Sequence, residues 1–383
     1  MRDRYPNAAT LAALLCLAAA CADARAPGDP AQRGAAHQPA WPPGQEWRIE
    51  PEPVFVIGAP GAGDGIELYG VATALLLADG RIAVAERSSQ RIRLFDPTGR
   101  QELPALGGRG RGPGEFTGLF WIGVFRGDSI LAWDSGQARA TVFAPGGEYV
   151  RTISLPSVDG FFIAIADHVF PDGSLLLRAG PPQVRPDSAG ESWAFEYFGV
   201  YRAGEEGVRT IGVLPVDRCV NTSGLPCHTL LFGARAQWAV ADGRLYFGTS
   251  ADYTIRALDL DGGEALTFGR SFTPQRVSDD DVQRATRGRP PRPGEERVVA
   301  ERLPAYDRML ADAHGNLWVR EYGTRVWSVF DAAGRWLGDV EAPRGLRVHQ
   351  IAADHVVGVL RDSLDVESVA VHRLLRPAPA VSP

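Results

Sequence analysis

The sequence predicts an all-β protein in which one four-stranded unit is repeated around a ring. The chain has 383 residues, of which 45% are hydrophobic, 44 are Gly and 29 are Pro. This composition is typical of a globular protein rich in turns. Pairs of turn residues nineteen positions apart recur four times, and alternating apolar residues follow the first of each pair, as expected for half-buried strands. One further strand pattern precedes the first full copy. Together these observations predict a six-bladed β-propeller whose N-terminal strand closes the last blade.

The clearest copy of the repeat runs from Asp79 to Arg100. Ile82 and Val84 alternate with small residues, and Ile92 and Leu94 alternate with arginines after a short polar turn. The four equally spaced pairs of turn residues are Gly80 and Gly99, Asp128 and Gly147, Gly243 and Gly262, and Gly315 and Gly334. Uniform spacing with the apolar phase preserved favours a propeller over a β-sandwich or a two-domain β protein.

The predicted propeller occupies residues 47–376, between a flexible tether at 25–46 and a disordered tail at 377–383. Trp47 to Ile57 reads as one strand whose prolines suit a sheet edge. We expect this strand to pair with the last blade. The predicted blades are 70–106, 117–155, 160–215, 234–268, 304–341 and 346–375 with the N-terminal strand.

The first 24 residues read as a signal peptide, because a basic start precedes an apolar run at 8–20 that is too short to span a bilayer. The end of this run resembles a bacterial lipoprotein signal, which implies lipidation at Cys21. Residues 22–24 offer an ordinary signal-peptidase site as the alternative. Either interpretation predicts an exported protein of the bacterial cell envelope, in the periplasm or anchored as a lipoprotein.

Two stretches resemble known propeller families. Residues 78–95, followed by the glycine-rich residues 106–116, resemble the NHL-repeat propellers. Residues 303–306 and 314–319 look like the penultimate blade of bacterial six-bladed propeller lipoproteins, most of which are uncharacterised. The resemblance covers 47–375 and implies the fold. It leaves the activity open, because propellers serve many functions.

Strand order predicts which face of the propeller carries the function. If each blade runs outward from the axis in four antiparallel strands, the first and third turns lie on one face, and the other connections lie on the opposite face. The long connections all belong to the second set: Gly107–Glu115, Gly180–Glu191, Val216–Phe232 and Arg270–Leu303. Elaborated loops on a rigid scaffold commonly carry the binding site.

Five residues are candidates for ligand binding at the channel mouth: Arg109, Arg111, Tyr306, Arg308 and His349. The glycine-rich loop that carries the first two lacks the Lys-Ser/Thr ending and the following helix of a phosphate-binding loop. We interpret it as a tight crossing between blades, although its arginines could bind an anion. A lone histidine is more often simply hydrogen-bonded, and this interpretation is preferred for His349 as well.

Three carboxylates stand where the second strand of a blade ends: Glu86, Asp134 and Glu321. Carboxylates around one mouth could bind Ca²⁺ or Zn²⁺ or act as acid and base, as in propeller lactonases. The favoured interpretation is structural, because carboxylates at such positions commonly accept hydrogen bonds from turns. No cofactor is therefore predicted.

Cys219 and Cys227 are the cysteines that remain after signal removal, and an exported setting predicts a disulfide between them. His228 is a possible third ligand, and without a fourth a zinc site is disfavoured. Farther along, Ser278 followed by three aspartates predicts a capped, short helix rather than a cation site.

The sequence thus predicts an envelope-anchored or secreted binding module whose loop-rich face holds a protein, peptide or glycan. The alternative is a metal-dependent hydrolase or lyase, similar to a lactonase, with its site at the channel mouth. A net charge of −6 disfavours a general nucleic-acid binder. We expect a monomer that contacts the membrane only through a lipid anchor.

Overall fold

The computed structural model describes residues 38–59, 65–158, 160–161, 164–170, 172–180, 190–222, 225–289 and 298–377. These residues form six antiparallel sheets. The innermost strand of each sheet contacts that of the next sheet, and the last contacts the first. The chain is therefore a six-bladed β-propeller, which confirms the predicted fold.

The strands of each blade run in chain order from the axis outward, except that the outermost strand of blade six is the N-terminal strand. Blades one and two are β2 (Val71–Leu76), β3 (Ile82–Glu86), β4 (Arg91–Phe95), β5 (Glu102–Leu106), and β6 (Leu119–Phe125), β7 (Ser129–Asp134), β8 (Arg139–Phe143), β9 (Tyr149–Ser154). Blades three and four are β10 (Ile165–Val169), β11 (Leu175–Ala179), β12 (Gly190–Tyr201), β13 (Arg209–Thr222), β14 (Leu225–Thr229), and β15 (Gln237–Ala241), β16 (Arg244–Gly248), β17 (Thr254–Asp259), β18 (Glu264–Gly269). Blades five and six are β19 (Tyr306–Ala311), β20 (Leu317–Glu321), β21 (Val326–Phe330), β22 (Trp336–Glu341), and β23 (Arg347–Ile351), β24 (His355–Arg361), β25 (Glu367–Leu375), β1 (Arg48–Ile57).

The N-terminal strand β1 closes the ring as predicted. It pairs antiparallel with β25, with Arg48 opposite Leu375 and Ile57 opposite Val369. Ile57 is fully buried. The first and last strands of the described chain thus share one sheet, which removes an open edge at the joint between the chain ends.

Six hydrophobic clusters hold the blades together, one at each boundary between neighbouring blades. The boundary between blades one and two, for example, joins Ile92 and Phe116 to Phe143. Both faces of every sheet are therefore covered, which explains why the middle residues of the second strands are mostly apolar. In β3 all five residues are buried.

Two predictions about chain segments need correction. The segment Val216–Phe232 is not simply a loop, because β13 extends to Thr222 and β14 pairs back against it as a fifth strand. The predicted tether is ordered at its end, since Trp41 donates its backbone N–H to Leu337 at 2.9 Å and stacks on Trp47 at 5.0 Å. Burial of two indole rings favours docking over free motion.

The predicted short helix is present as α1 (Asp279–Thr286). Ser278 caps it by accepting a hydrogen bond from the backbone N–H of Asp281, whose side chain in turn accepts from the N–H of Ser278. The acidic first turn therefore completes a capping box, as interpreted from the sequence. No helix in the described part of the chain has the length and apolar content needed to cross a membrane.

Five of the six inner strands contain one extra residue relative to the strand beside them. The extra residues are Ala72, Phe120, Asp167, Asp307 and His349. A β-bulge re-aims the side chain of the extra residue and is common beside functional sites. These bulges alter the inner rim of the propeller at similar levels in five blades.

Candidate binding face and central channel

The long connections lie on the face predicted to carry the function. One of them, the blade-four insert (described residues 270–289 and 298–303), joins β18 to β19 and includes α1. Its two ends are tied together by a hydrogen bond from the N–H of Leu303 to the carbonyl of Gln275 at 2.9 Å. Leu231 exchanges two backbone hydrogen bonds, each 2.9 Å long, with Val298 and Ala300. The insert is therefore fixed to the neighbouring connection of blade three.

The blade-four insert walls a cleft of about 670 Å³ on this face. Its lining combines aromatic, polar and charged side chains, among them Phe232, Phe272, Gln275, Arg284, Glu321 and Tyr322. The cleft draws these residues from the connections of blades three, four and five. A concave site assembled from several loops is the usual form of a ligand-binding site.

Phe232 has an unusual backbone conformation at the edge of the cleft. Its φ of 61° lies in the left-handed region, which bulky side chains rarely adopt. Its ring is only partly buried and meets the Tyr322 ring edge-to-face, with centroids 6.4 Å apart. Such strain costs of order 1 kcal/mol and is concentrated at functional sites. The sequence pattern contains no signal for it.

Glu321 is engaged at the base of the cleft rather than exposed to a metal. It forms an ion pair with Arg270. The Arg270 guanidinium also lies 4.7 Å from the centroid of the Tyr253 ring and 5.3 Å from that of Trp336. The pair is therefore built into the packing between blades four and five.

Glu86 and Asp134 act as turn acceptors, which agrees with the structural interpretation. Glu86 accepts the backbone N–H of Tyr69 at 3.0 Å. Asp134 accepts the N–H groups of Thr117 at 2.8 Å and of Gly136 at 2.9 Å. Each carboxylate thus joins the end of its strand to the segment entering the same blade. The described residues contain no group of three or more His, Cys, Asp or Glu side chains that could hold a metal ion.

The glycine-rich loop is a tight crossing between blades one and two. A Cβ at Gly110 would collide with the Glu115 carboxylate, which accepts the N–H of Gly112 at 2.7 Å. The loop therefore encloses a negative charge instead of an anion site. Arg109 donates to the carbonyl of Ser88 at 2.9 Å, and Arg111 is exposed.

Tyr306 does not face an open channel mouth, contrary to the prediction. It is 1% exposed, and its ring packs against that of Tyr253 at a centroid distance of 5.3 Å. Burial raises the pKa of its hydroxyl, so the group is a neutral phenol at physiological pH. The first residue of β19 points into the core between blades, where the apolar cluster requires an aromatic side chain.

His349 and Arg308 lie on the inner strands, as their positions in the sequence suggest. His349 Nδ1 accepts the backbone N–H of Ala74 at 3.0 Å, across the boundary between blades six and one. This bond assigns the ring proton of the neutral imidazole to Nε2. Burial lowers the pKa of His349 to about 3 and that of Arg308 to about 10. At pH 7 the imidazole is neutral and the guanidinium is charged.

A second polar cluster, which the sequence analysis missed, surrounds the bulged residue Asp167. Its carboxylate accepts hydrogen bonds from Arg178 at 3.1 Å and from the Trp238 indole, and His168 Nδ1 lies 2.8 Å away. These contacts hold the pKa of Asp167 well below its usual range despite burial. Glu196 forms an ion pair with the same Arg178. The two carboxylates of this cluster therefore share one arginine, and blade four contributes the Trp238 indole.

The predicted disulfide and lipidation site remain predictions. The Cys227 side chain and the whole of residues 1–37 lie outside the described residues. Cys219 lies on β13, and β14, which carries Cys227, pairs with that strand. Most of the predicted Gly180–Glu191 insert is likewise outside the described residues.

Comparison with known proteins supports the fold alone. No protein-family model and no curated protein matches the chain. Solved structures do match. A member of the DUF4221 family from Bacteroides vulgatus is 11% identical over 87% of this chain and 99% of its own, with a TM-score of 0.52. A gluconolactonase from Xanthomonas campestris is 14% identical over 88% and 99%, with a TM-score of 0.44. A virginiamycin B lyase from Staphylococcus aureus is 10% identical over 86% and 100%, with a TM-score of 0.42.

Proposed function

We propose that this propeller is an exported binding module whose loop-rich face holds a protein, peptide or glycan. The observation that carries the proposal is the strained Phe232 beside Tyr322 at the cleft of the blade-four insert. An aromatic side chain held in a costly conformation and left partly exposed stabilises little in the free protein. The strained conformation and partial exposure of Phe232 are better explained if its ring contacts a ligand.

The lactonase-like alternative has less support from the described residues. Its three candidate ligands, Glu86, Asp134 and Glu321, are each occupied by local partners in separate blades. Export, and anchoring through Cys21, belong to the same proposal and rest on the N-terminal sequence. The NHL-like character of the repeat rests on the resemblance of residues 78–116.

A variant that relieves the strain at Phe232 tests the proposal. Phe232→Asn places a residue that tolerates the left-handed region at this position. We expect the free energy of unfolding to stay within about 1 kcal/mol of wild type, because relief of strain offsets the lost ring contact. Binding to hits from a glycan array and a displayed-peptide library should fall at least about tenfold, as for other aromatic anchors.

Tyr149→Asn provides the matched control, since Tyr149 is an exposed aromatic residue at the start of the outer strand β9 in a different blade. Hits bound equally well by wild type and Phe232→Asn, with Tyr322→Ser also unchanged, would place the binding site elsewhere. Failure of wild type to bind any member of either library would contradict the proposal for glycans and short peptides.

A further inference from the structure

Blades five, six and one bring together three arginines whose positive charges are not balanced by neighbouring acids. Two lie on inner strands, and the third follows a second strand. Arg308 lies on β19, Arg347 begins β23, and Arg87 follows β3. A parallel bridge between Asp312 and Ile351 aligns β19 with β23. Counting back along both strands, with allowance for the extra residue His349, places Arg308 one residue from the level of Arg347. The start of an inner strand and the end of a second strand both lie at the loop-rich end of the channel.

The acidic residues beside these arginines are already paired with other arginines. Asp307 accepts a hydrogen bond from Arg320 at 2.6 Å. Glu367 accepts one from Arg361 at 2.5 Å and one from the N–H of Val71 at 2.6 Å. Each acid therefore has its own cation, so the neighbouring arginines retain their excess positive charge.

Within the described parts of the chain, Arg308 makes no ion pair or hydrogen bond. Arg347 donates only to the carbonyl of Val71, at 3.1 Å. The guanidinium of Arg87 stacks 5.0 Å from the centroid of the exposed Phe120 ring and is 3.5 Å from the Phe120 carbonyl. Three guanidinium groups thus keep most of their donors available. Arg87 and Arg347 are exposed, whereas Arg308 is partly buried, and a buried cation without a partner is costly.

The imidazole of His349 supplies a further hydrogen-bond donor beside these arginines. Its Nδ1 is occupied by Ala74, so its Nε2–H is the group left to donate. The bulge at this position supplies the extra residue that carries the imidazole. Burial, and after it the charges of Arg308, Arg347 and Arg87, lower the pKa of His349, which agrees with the alignment of the strands that carry Arg308 and Arg347.

We propose that the channel between blades five, six and one binds a small anionic group, a carboxylate or a phosphate, through Arg308, Arg347 and His349. Guanidinium groups hold both kinds of anion through charge-assisted, often bidentate hydrogen bonds. On the opposite side of the inner rim, Arg178 is already paired with Asp167 and Glu196, so this side lacks an excess of arginines. This anion site rests on the proposed binding function in one respect: the anionic group belongs to the ligand that the loop-rich face holds.

Calorimetric titration of the chain without its predicted signal tests the site directly. Sodium phosphate and sodium citrate are the two probes, each measured against sodium chloride at equal ionic strength. We expect one-to-one binding of at least one probe. Binding of phosphate alone identifies a phosphate site, and binding of citrate alone identifies a carboxylate site. Failure of both probes to bind overturns the proposal.

Variants separate this site from general surface charge. Arg308→Gln and Arg347→Gln should each weaken binding at least about tenfold, as expected for loss of a charge-assisted contact. Arg308→Lys should retain part of the affinity. Arg151→Gln, an exposed position on the outer strand β9, is the control and should bind as wild type does. Equal affinity of all four variants would overturn the assignment.

The Arg347 variant keeps the test valid if the Arg308 variant fails to fold, because Arg347 is exposed. Phe232→Asn distinguishes the two proposals. Loss of library hits with intact anion binding would support both the cleft and the channel site. Loss of anion binding in Arg347→Gln with the hits retained would show that the cleft ligand does not need the anionic group.

Discussion

His349 shows how one additional residue changes the chemistry of an inner strand. Without the bulge, successive side chains of β23 would continue to alternate between the two faces of the sheet, and the pairing register would fix the direction of the side chain at this position. With the bulge, the imidazole accepts the N–H of Ala74 and stays neutral among arginines. A bulge at Asp167 likewise introduces a carboxylate, which accepts hydrogen bonds from Arg178 and from the Trp238 indole. The polar character of the channel therefore depends on single inserted residues.

The low pKa of His349 predicts a specific pH dependence of stability. In the unfolded chain the imidazole takes up a proton near its usual pKa of about 6.5, whereas in the native protein it does so only near 3. Its contribution to stability is therefore complete above about pH 6.5 and is lost as the pH falls toward 3. The loss can reach about 1.4 kcal/mol per pH unit.

Denaturant unfolding of wild type and His349→Gln at pH 7 and pH 5 measures this contribution. The glutamine amide can still accept the N–H of Ala74 but does not titrate. We expect wild type to lose about 2 kcal/mol more than the variant over this interval. Equal losses would mean that protonation of His349 is not disfavoured in the native protein.

Among the elements, α1 differs from the strands in having no buried residue. Its eight residues are stabilised by the capping box of Ser278 and Asp281, while the blade-four insert around it is tied by backbone hydrogen bonds at its ends. Helices this short are marginal without packing. The helix therefore forms the least stable wall of the cleft, and its local order can change without unfolding the blades.

Ser278→Ala should loosen α1 without affecting the propeller. Loss of an N-cap costs about 1 kcal/mol of helix stability. We expect an unchanged global melting temperature and faster limited proteolysis between β18 and β19, read by mass spectrometry of the fragments. Thr273→Ala, an exposed position of the same insert outside the helix, serves as the control. A fall in the global melting temperature would instead show that α1 is coupled to the blade cores.

The elements also show what sequence can predict here. Five blades begin and end within a few residues of the predicted bounds, because alternation and turn glycines are local properties, and α1 follows from its cap. Blade three extends past its predicted end at residue 215, since β13 and β14 continue to Thr229. Arg347, Asp167 and Phe232 were missed as site residues. Bulges and strained turns depend on packing between blades, and no local pattern of residue types marks them. Tyr306 was misplaced for the same reason, since periodicity alone does not tell a core-facing position from a channel-facing one.

For the whole molecule, stability depends on joining the two ends of the chain. β1 supplies the outer strand of blade six, and the buried Ile57 contributes to the core between blades six and one. Without it, β25 would present an unpaired edge to solvent. The short segment around Trp41 adds a second attachment, to β22 of blade five.

Removal of β1 tests closure. A chain that begins at residue 65 should lose cooperative unfolding and form oligomers or aggregates in size-exclusion chromatography, because the exposed edge of β25 can pair between molecules. A chain that begins at residue 38 keeps β1 and Trp41 and should remain monomeric. A monomeric, cooperatively folding product from the shorter chain would contradict the role assigned to β1.

The pairing of β1 with β25 also dictates an order of events during synthesis. Of the strands of the propeller, β1 is synthesised before all others, yet it cannot pair until β25 has been made, more than three hundred residues later. Contacts so distant in sequence make folding slow and its last step non-local. In a truncated translation product β1 has no pairing partner. Its unpaired edge can then associate with other chains and be recognised by proteases and chaperones. Synthesis of all six blades is therefore a condition for the native ring.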